Sequence, residues 1–479
     1  MEIGIVGTGI YIPYYYIKRE TIAAQWDARA AHGVRSLCNA DEDSVTMAAE
    51  AAIHSIEGIG REHIDGLYFA STTAPYAEKA HSSILARVCD LSDSTEIADF
   101  MASTRAGTMA VKAAYNAVKA GTCKNVIVTS ADQRNGYPKS QQEQMFGDAA
   151  AAVVIGSENV AASIEAWETV NVEIHDAWRN RKDDYVRTGE SRFARSKGYT
   201  YALVEVMKTI MSSRNLCPND ISRVILPASN VKEQLSAAKA AGFVPEQVQD
   251  PFLMQVGDCG TAQPALLLAA ALENASPGEL ILWTSYGSGA DAILLKVTER
   301  IETLKKEQIQ KYLDSRQELK GYPRFLSFRG LLEAEPGEPY KINPSASNYW
   351  REQKSILSLH GSRCKKCGQI MFPINRICYS CHSKDEFEEI RLYDREFRLF
   401  TYSIDRLAGR SDDPMIGQAV AEDRNGTRIY LLITDFQESD IAIGMPLEAS
   451  FRKMHELGNF VNYYWKFRPV RKGGKKECL

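Results

Sequence analysis

Strands that are apolar on both faces are stable only when covered on both sides, and the first 297 residues carry several. GLYFAST (66–72), NVIVTSAD (125–132), AAAVVIG (150–156), RVILPAS (223–229), ELILWTSYGSG (279–289) and DAILLKV (291–297) include near-continuous apolar runs. Between them lie Ala-rich helices at 105–121 and 262–275, apolar on more than one face and therefore expected at the centre of the fold. The order helix, strand, Ala-rich strand occurs at 105–156 and again at 262–297, consistent with two related halves. A layered α/β domain over residues 1–297 is expected.

At 479 residues the chain exceeds one compact core. The charged stretch 298–320 and the Pro/Glu-rich stretch 333–346 read together as a connector over 298–345. Then come Cys364-Lys-Lys-Cys367, ten residues, and Cys378-Tyr-Ser-Cys381. Two such hooks bring four thiolates to one tetrahedral Zn²⁺. An all-cysteine set leaves no open position, so the metal is expected to fold residues 346–389 and do no chemistry. Gly368 suits the first knuckle, and His382 is expected to be a solvated neighbour. From 390 to 470 the short strands REFRLFTYSI, MIGQAVAED, TRIYLLITDF and MPLEASFRKM, with a type I′ turn at Asn425-Gly426, predict a small antiparallel barrel.

Composition narrows the function. With 44% hydrophobic residues, 25% charged and a net charge of −4, no basic surface for nucleic acid is expected. The basic residues Arg471, Lys472, Lys475 and Lys476 read as a frayed tail over 471–479. No run approaches the ~18 apolar residues of a membrane span. MEIGIVGTGIYIP reads as a first strand and not a signal peptide. The six cysteines outside the hooks are scattered, which suits a reducing, cytoplasmic setting.

The hooks followed by a barrel resemble the zinc-ribbon and OB-fold family that accompanies thiolases and hydroxymethylglutaryl-CoA synthases. The first 297 residues resemble the 3-hydroxy-3-methylglutaryl-CoA synthases themselves. That resemblance is carried by Tyr68–Lys79, Arg105-Ala-Gly-Thr108, Ser191-Arg-Phe193 with Tyr199 beyond, Asn230-Val-Lys232 and Gly287-Ser-Gly289. It implies a thiolase-like five-layered αβαβα domain, a coenzyme A thioester as substrate and a homodimer.

The same resemblance exposes a departure. The family's nucleophilic cysteine falls on Thr104, its acid/base glutamate on Thr72 and its histidine near Pro227, and residues 176–359 contain no histidine. A threonine hydroxyl needs a strong adjacent base before it can attack a thioester. Ser103 and Thr104 therefore read as helix caps. Cys259 is either a replacement nucleophile or a buried structural thiol. Asp258, Tyr199 and Tyr286 are the proton-transfer candidates, with Tyr76 beside them. Gly287 and Gly289 offer backbone N–H groups to an oxyanion. Thr72 and Tyr76 are expected to line the substrate, and Lys232 either meets the CoA phosphates or is solvated. The reading that follows is a CoA-dependent lyase or aldolase acting on a carbon–carbon bond. Its alternatives are a Claisen acyltransferase using Thr104 or Cys259, and a non-catalytic acyl-CoA-binding scaffold.

Overall fold

The computed structural model describes residues 2–180, 182–304, 306, 308–332, 343–406 and 415–471. A nine-stranded sheet runs in the order Arg223–Ile225, Leu280–Tyr286, Gly289–Val297, Ala162–Asn171, Gly4–Tyr11, Ala149–Gly156, Val126–Asp132, Gly66–Ser71, Glu96–Met101. Its two halves repeat one pattern. Gly66–Ser71 lies parallel to Val126–Asp132, which turns antiparallel onto Ala149–Gly156. Arg223–Ile225, Leu280–Tyr286 and Gly289–Val297 do the same in the other half. Gly4 and Ile5, paired with Ser163 and Ala162, stitch the halves into one sheet, with Ile164 N–H donating to Ile3 O beside them.

Helices fill the remaining layers. Ser44–Ser55 covers one half and Tyr201–Ser213 the other, while Ala106–Ala120 and Gln263–Glu273 touch each other between them. Gln263 to Leu272 are all buried, as an apolar helix without a polar face must be. Ala106–Ala120 departs from expectation. It buries Ala106, Thr108, Ala110, Val111, Ala114 and Val118 and leaves Met109 exposed, so only one face is central.

The expected connector is in part a piece of the first domain. Tyr312, Leu319, Tyr322, Phe325 and Phe328 are buried, and Gln317–Glu318 adds a strand beside Tyr15–Lys18. Arg329 reaches Asp148 at 2.5 Å in a fully buried ion pair. The high charge of this stretch hid a sparse apolar stripe. Residues 333–342 lie outside the described residues.

Beyond it, strands His360–Cys364, Ile370–Met371 and Phe387–Arg391 form the ribbon. Five strands then close a barrel: Phe397–Asp405, Ile416–Asp423, Arg428–Ile433, Pro446–Leu457 and Phe460–Pro469. The third and fifth pair in parallel through Ile433 and Phe467; the other pairs are antiparallel. The turn at Asn425-Gly426 is not type I′, because Gly426 is left-handed and Asn425 is not. Gly426 N–H donates to Asp423 O, and the Asp423 carboxylate takes the amides of Asn425 and Thr427, which favours a longer loop. Arg471 is not frayed: it is buried and donates to Ile12 O at 2.6 Å. Lys472, Lys475 and Lys476 lie outside the described residues.

Candidate active site and metal centre

Asp132 ends a strand buried along its whole length, and five donors surround its carboxylate. Oδ1 accepts from Ser71 Oγ (3.1 Å), Thr72 N (2.7 Å) and Thr73 Oγ1 (3.0 Å). Oδ2 accepts from Thr261 N (2.8 Å) and Thr261 Oγ1 (2.6 Å). These bonds replace the water a buried carboxylate would lose. They also tie the Thr72 turn to the start of the second central helix.

Thr104 precedes the first central helix. Its Oγ1 donates to Tyr286 O at 2.7 Å, while Ser103 Oγ donates to Gly287 O and accepts from Arg105 N, both at 3.2 Å. Only Ser103 takes an amide at the helix end; Thr104 latches the 286–289 turn instead of capping. Gly287 packs against both, since a Cβ there would lie 2.7 Å from Thr104 Oγ1. Its expected role as an oxyanion donor is not met, because its N–H donates to Gly289 O at 2.9 Å. Gly289 has φ +113 and lies so close to Val170 O that a Cβ would come within 2.1 Å. Strand packing accounts for that glycine.

Asp258 is buried against Arg134 Nη1 (3.3 Å) and accepts from Ser229 Oγ (2.5 Å) and Gly260 N (2.9 Å). Tyr199 and Tyr286 meet edge to face with ring centres 5.3 Å apart. Tyr199 OH donates to the carbonyl of Pro227 at 2.8 Å, and Tyr286 OH donates to Asp176 Oδ2 at 2.5 Å. Burial pushes both phenols well up, helped by the charges of Glu233 and Asp258 at Tyr199 and by Asp176 at Tyr286. Both therefore stay protonated through the neutral range.

The other candidates separate. Thr72 is half-buried, and its carbonyl accepts from Arg179 Nη2 at 2.7 Å. Tyr76 is turned to the barrel, its hydroxyl accepting from Val461 N at 2.9 Å. Lys232 stands exposed in the first turn of Val231–Ala240. Cys259 is fully buried, its Sγ against Gly257 O at 3.3 Å, and burial pushes its thiol well up. That is an inert structural thiol.

The Sγ atoms of Cys364, Cys367, Cys378 and Cys381 all lie within 4.8 Å of one another. Zn–S bonds of ~2.3 Å in a tetrahedron put sulfurs about 3.8 Å apart. The pairs at 3.5 Å (Cys367 and Cys378) and 3.6 Å (Cys364 and Cys381) fit that spacing. The two knuckles are copies. Gly368 N donates to Cys364 O and His382 N to Cys378 O, both at 2.9 Å, with φ +77 and +58. His382 is exposed as expected, but it also holds the left-handed position of its knuckle. Ser383 Oγ, 3.2 Å from Cys364 Sγ and 3.3 Å from Cys381 Sγ, supports the ligands. A bound Zn²⁺ supplies structure here, with every position taken by protein.

The hydroxymethylglutaryl-CoA synthase of Methanopyrus kandleri is 32% identical to this chain over 329 residues, 66% of this chain and 94% of that protein. The chain belongs to the hydroxymethylglutaryl-CoA synthase family. The enzyme of that name from Thermococcus kodakarensis is 31% identical, over 69% of this chain and 96% of its own length. Residues 98–171 match the family model of 3-oxoacyl-[acyl-carrier-protein] synthase III, and residues 357–388 match that of the ChsH2 rubredoxin-like zinc ribbon. Among solved structures, a hydroxymethylglutaryl-CoA synthase complexed with CoA aligns with a TM-score of 0.63 at 17% identity, covering 72% of this chain and 95% of the other. The 3-oxoacyl-[acyl-carrier-protein] synthase III of Aquifex aeolicus aligns at 0.55 and 21%, over 61% and 99%. These likenesses establish the thiolase-like fold.

Within this family member, the sequence reading missed Asp132, Arg134, Asp176 and Ser229. Asp132 carried a signal, a carboxylate at the carboxyl end of an apolar strand, where α/β folds place their ligands. Asp176 carried none, being 110 residues from its partner Tyr286.

Proposed function

We propose that this protein acts on a coenzyme A thioester and breaks or makes a carbon–carbon bond by aldol chemistry, without an acyl-enzyme. The observation that carries this reading is the state of Thr104. By the resemblance its hydroxyl falls at the family's nucleophile position, and it donates its proton to a backbone carbonyl instead of to a base. The thiol of Cys259 is buried and held protonated by that burial.

In the cleavage direction Asp258 takes the β-hydroxyl proton, the Cα–Cβ bond breaks, and a ketone or aldehyde leaves. The electron pair stays on the thioester as an enolate, Tyr286 gives its proton to Cα, and the proton taken by Asp258 passes through solvent to the Tyr286 phenolate, restoring both groups. One proton moves from oxygen to carbon, and no cosubstrate is consumed. Lys232, exposed in the first turn of Val231–Ala240, is the residue assigned to the CoA phosphates in this reading. The edge strand Glu96–Met101, with Ile97 and Met101 exposed beside Met109, supports a homodimer through this edge.

The family's name favours a second reading, Claisen condensation through an acylated Thr104 or Cys259. One experiment separates them. Incubation with a β-hydroxyacyl-CoA bearing a tertiary β-carbon should release a ketone and a shortened acyl-CoA, and intact mass should show no acyl adduct. An adduct mapped to Thr104 or Cys259 would establish the condensing route and remove the aldol one.

A further inference from the structure

By the resemblance the turn Thr72–Tyr76 holds the position of the family's acid/base residue, and it has no regular structure of its own. From inside, Asp132 takes the Thr72 amide and the Thr73 hydroxyl. From outside, the turn is gripped by the barrel. Tyr76 OH accepts the N–H of Val461, in the barrel strand Phe460–Pro469. The Tyr76 ring lies 5.8 Å from that of His81, whose Nε2 accepts the Tyr76 amide at 3.1 Å. His81 Nδ1 is in turn fixed by Asp99 Oδ2 at 2.8 Å. Thr73 O accepts from Ser44 Oγ at 2.9 Å, the first residue of helix Ser44–Ser55. The N-cap of that helix, Asp43, accepts from Tyr463 OH at 2.7 Å, two residues along the same barrel strand.

We infer that the barrel is a brace for the site, with Tyr76 as the positioning residue through which strand Phe460–Pro469 holds the Thr72–Tyr76 turn. One strand thus reaches both ends of the turn, directly at Tyr76 and through Asp43 and Ser44 at Thr73. The turn in turn supplies three of the five donors around Asp132, counting Ser71 just before it. A turn released from the barrel lets those donors move and misplaces the reacting groups, and a shift of ~1 Å costs on the order of 10²-fold in rate. The catalytic consequence rests on the proposed reading of the site; the mechanical one does not.

The test uses full-length, zinc-loaded protein and two readouts. Tyr76→Phe removes the acceptor for Val461 N–H, and Tyr463→Phe removes the bond to Asp43. Ser358→Ala is the control, since Ser358 Oγ donates to Arg87 O at 2.7 Å, tying the ribbon region and not the barrel to the first domain. Hydrogen exchange at the Thr72 and Thr73 amides should quicken by about tenfold in both tyrosine variants and by less than about twofold in the control. In the cleavage assay kcat should fall by about tenfold with KM held within about twofold, at unchanged zinc content. Unchanged exchange in both tyrosine variants would overturn the brace, whatever the assay shows. Faster exchange with unchanged kcat, in a wild type that turns over, would overturn its link to catalysis. A wild type with no turnover would overturn the aldol reading, leaving the exchange contrast to decide the brace.

Discussion

Thr104 and Cys259 show how environment outranks residue type. A hydroxyl and a thiol both lie near the starts of central helices, where backbone amides favour a developing negative charge. The hydroxyl spends its proton on Tyr286 O, and the thiol is sealed at 0% exposure. Thr104→Ala should therefore keep kcat within about threefold, losing only the latch on the 286–289 turn, a neutral hydrogen bond worth ~1 kcal/mol. Asp258→Asn should lower kcat by on the order of 10²-fold or more, the scale of general acid–base help. Steady-state kinetics on the two variants checks both. A dead Thr104→Ala beside an active Asp258→Asn would make the hydroxyl the chemistry. Thr104 could be singled out from the sequence because it lies directly before the Arg105-Ala-Gly-Thr108 stretch that carries the resemblance. The pairing of Asp258 with Arg134, and of Tyr286 with Asp176, could not be: each joins residues more than 100 positions apart, and no local pattern encodes that closure.

At the scale of elements, local chemistry predicted well where it closes over a few residues. The ribbon is the clear case, since two knuckles with matching amide–carbonyl bonds are built within Cys364–Ser383. Cys378→Ser should leave three thiolates and an incomplete site. Purified protein should drop from one zinc per chain toward none by elemental analysis, and the ribbon amides should lose exchange protection. His382→Gly should be tolerated or slightly stabilising, because glycine adopts a left-handed φ without the cost borne by a side chain. The helix Ala106–Ala120 and the stretch 308–329 were misread for opposite reasons. Alanine hides which face of a helix is buried, and dense charge hides a thin apolar stripe. The barrel turn at 423–427 was misread because Asp423, outside the Asn-Gly pair, decides its geometry.

The whole molecule is joined by buried charge, which no sequence pattern revealed. Arg452 meets Asp41 (3.1 Å), Glu42 (2.8 Å) and Asp435 (2.5 Å), and Arg468 meets Glu50 and Glu448, both at 2.8 Å. Asp41, Glu42 and Glu50 belong to the first domain, the arginines to the barrel, and removing one partner of such a pair strands the other. Glu50→Gln should cost about 3 kcal/mol, the low end for a broken buried pair, because Glu448 still faces Arg468. The same groups set the pH dependence. Burial opposes ionisation of Asp41 and Glu50, but Lys466 and Arg452 at the first, and Arg468 at the second, outweigh it and hold both carboxyls low. Their stabilisation is present above the unfolded carboxylate range of about 4 and is lost as pH falls through their folded values. Glu42 runs the other way. Burial raises its carboxyl to about 7 against the pull of Arg452, with the charges of Asp435 and Asp41 adding to the rise. Its contribution is full below the unfolded value of about 4.3 and declines as pH climbs toward 7. The opposing slopes of these three groups balance at about pH 4.5, with their combined stabilisation falling on both sides. Calorimetric melting between pH 4 and 8 should show that dome, and Glu42→Gln, which cannot ionise, should flatten its neutral limb while keeping the acid one. A wild-type melting temperature that rises steadily from pH 5 to 7 would mean that Glu42 is ionised in the folded protein and that Arg452, not burial, governs it.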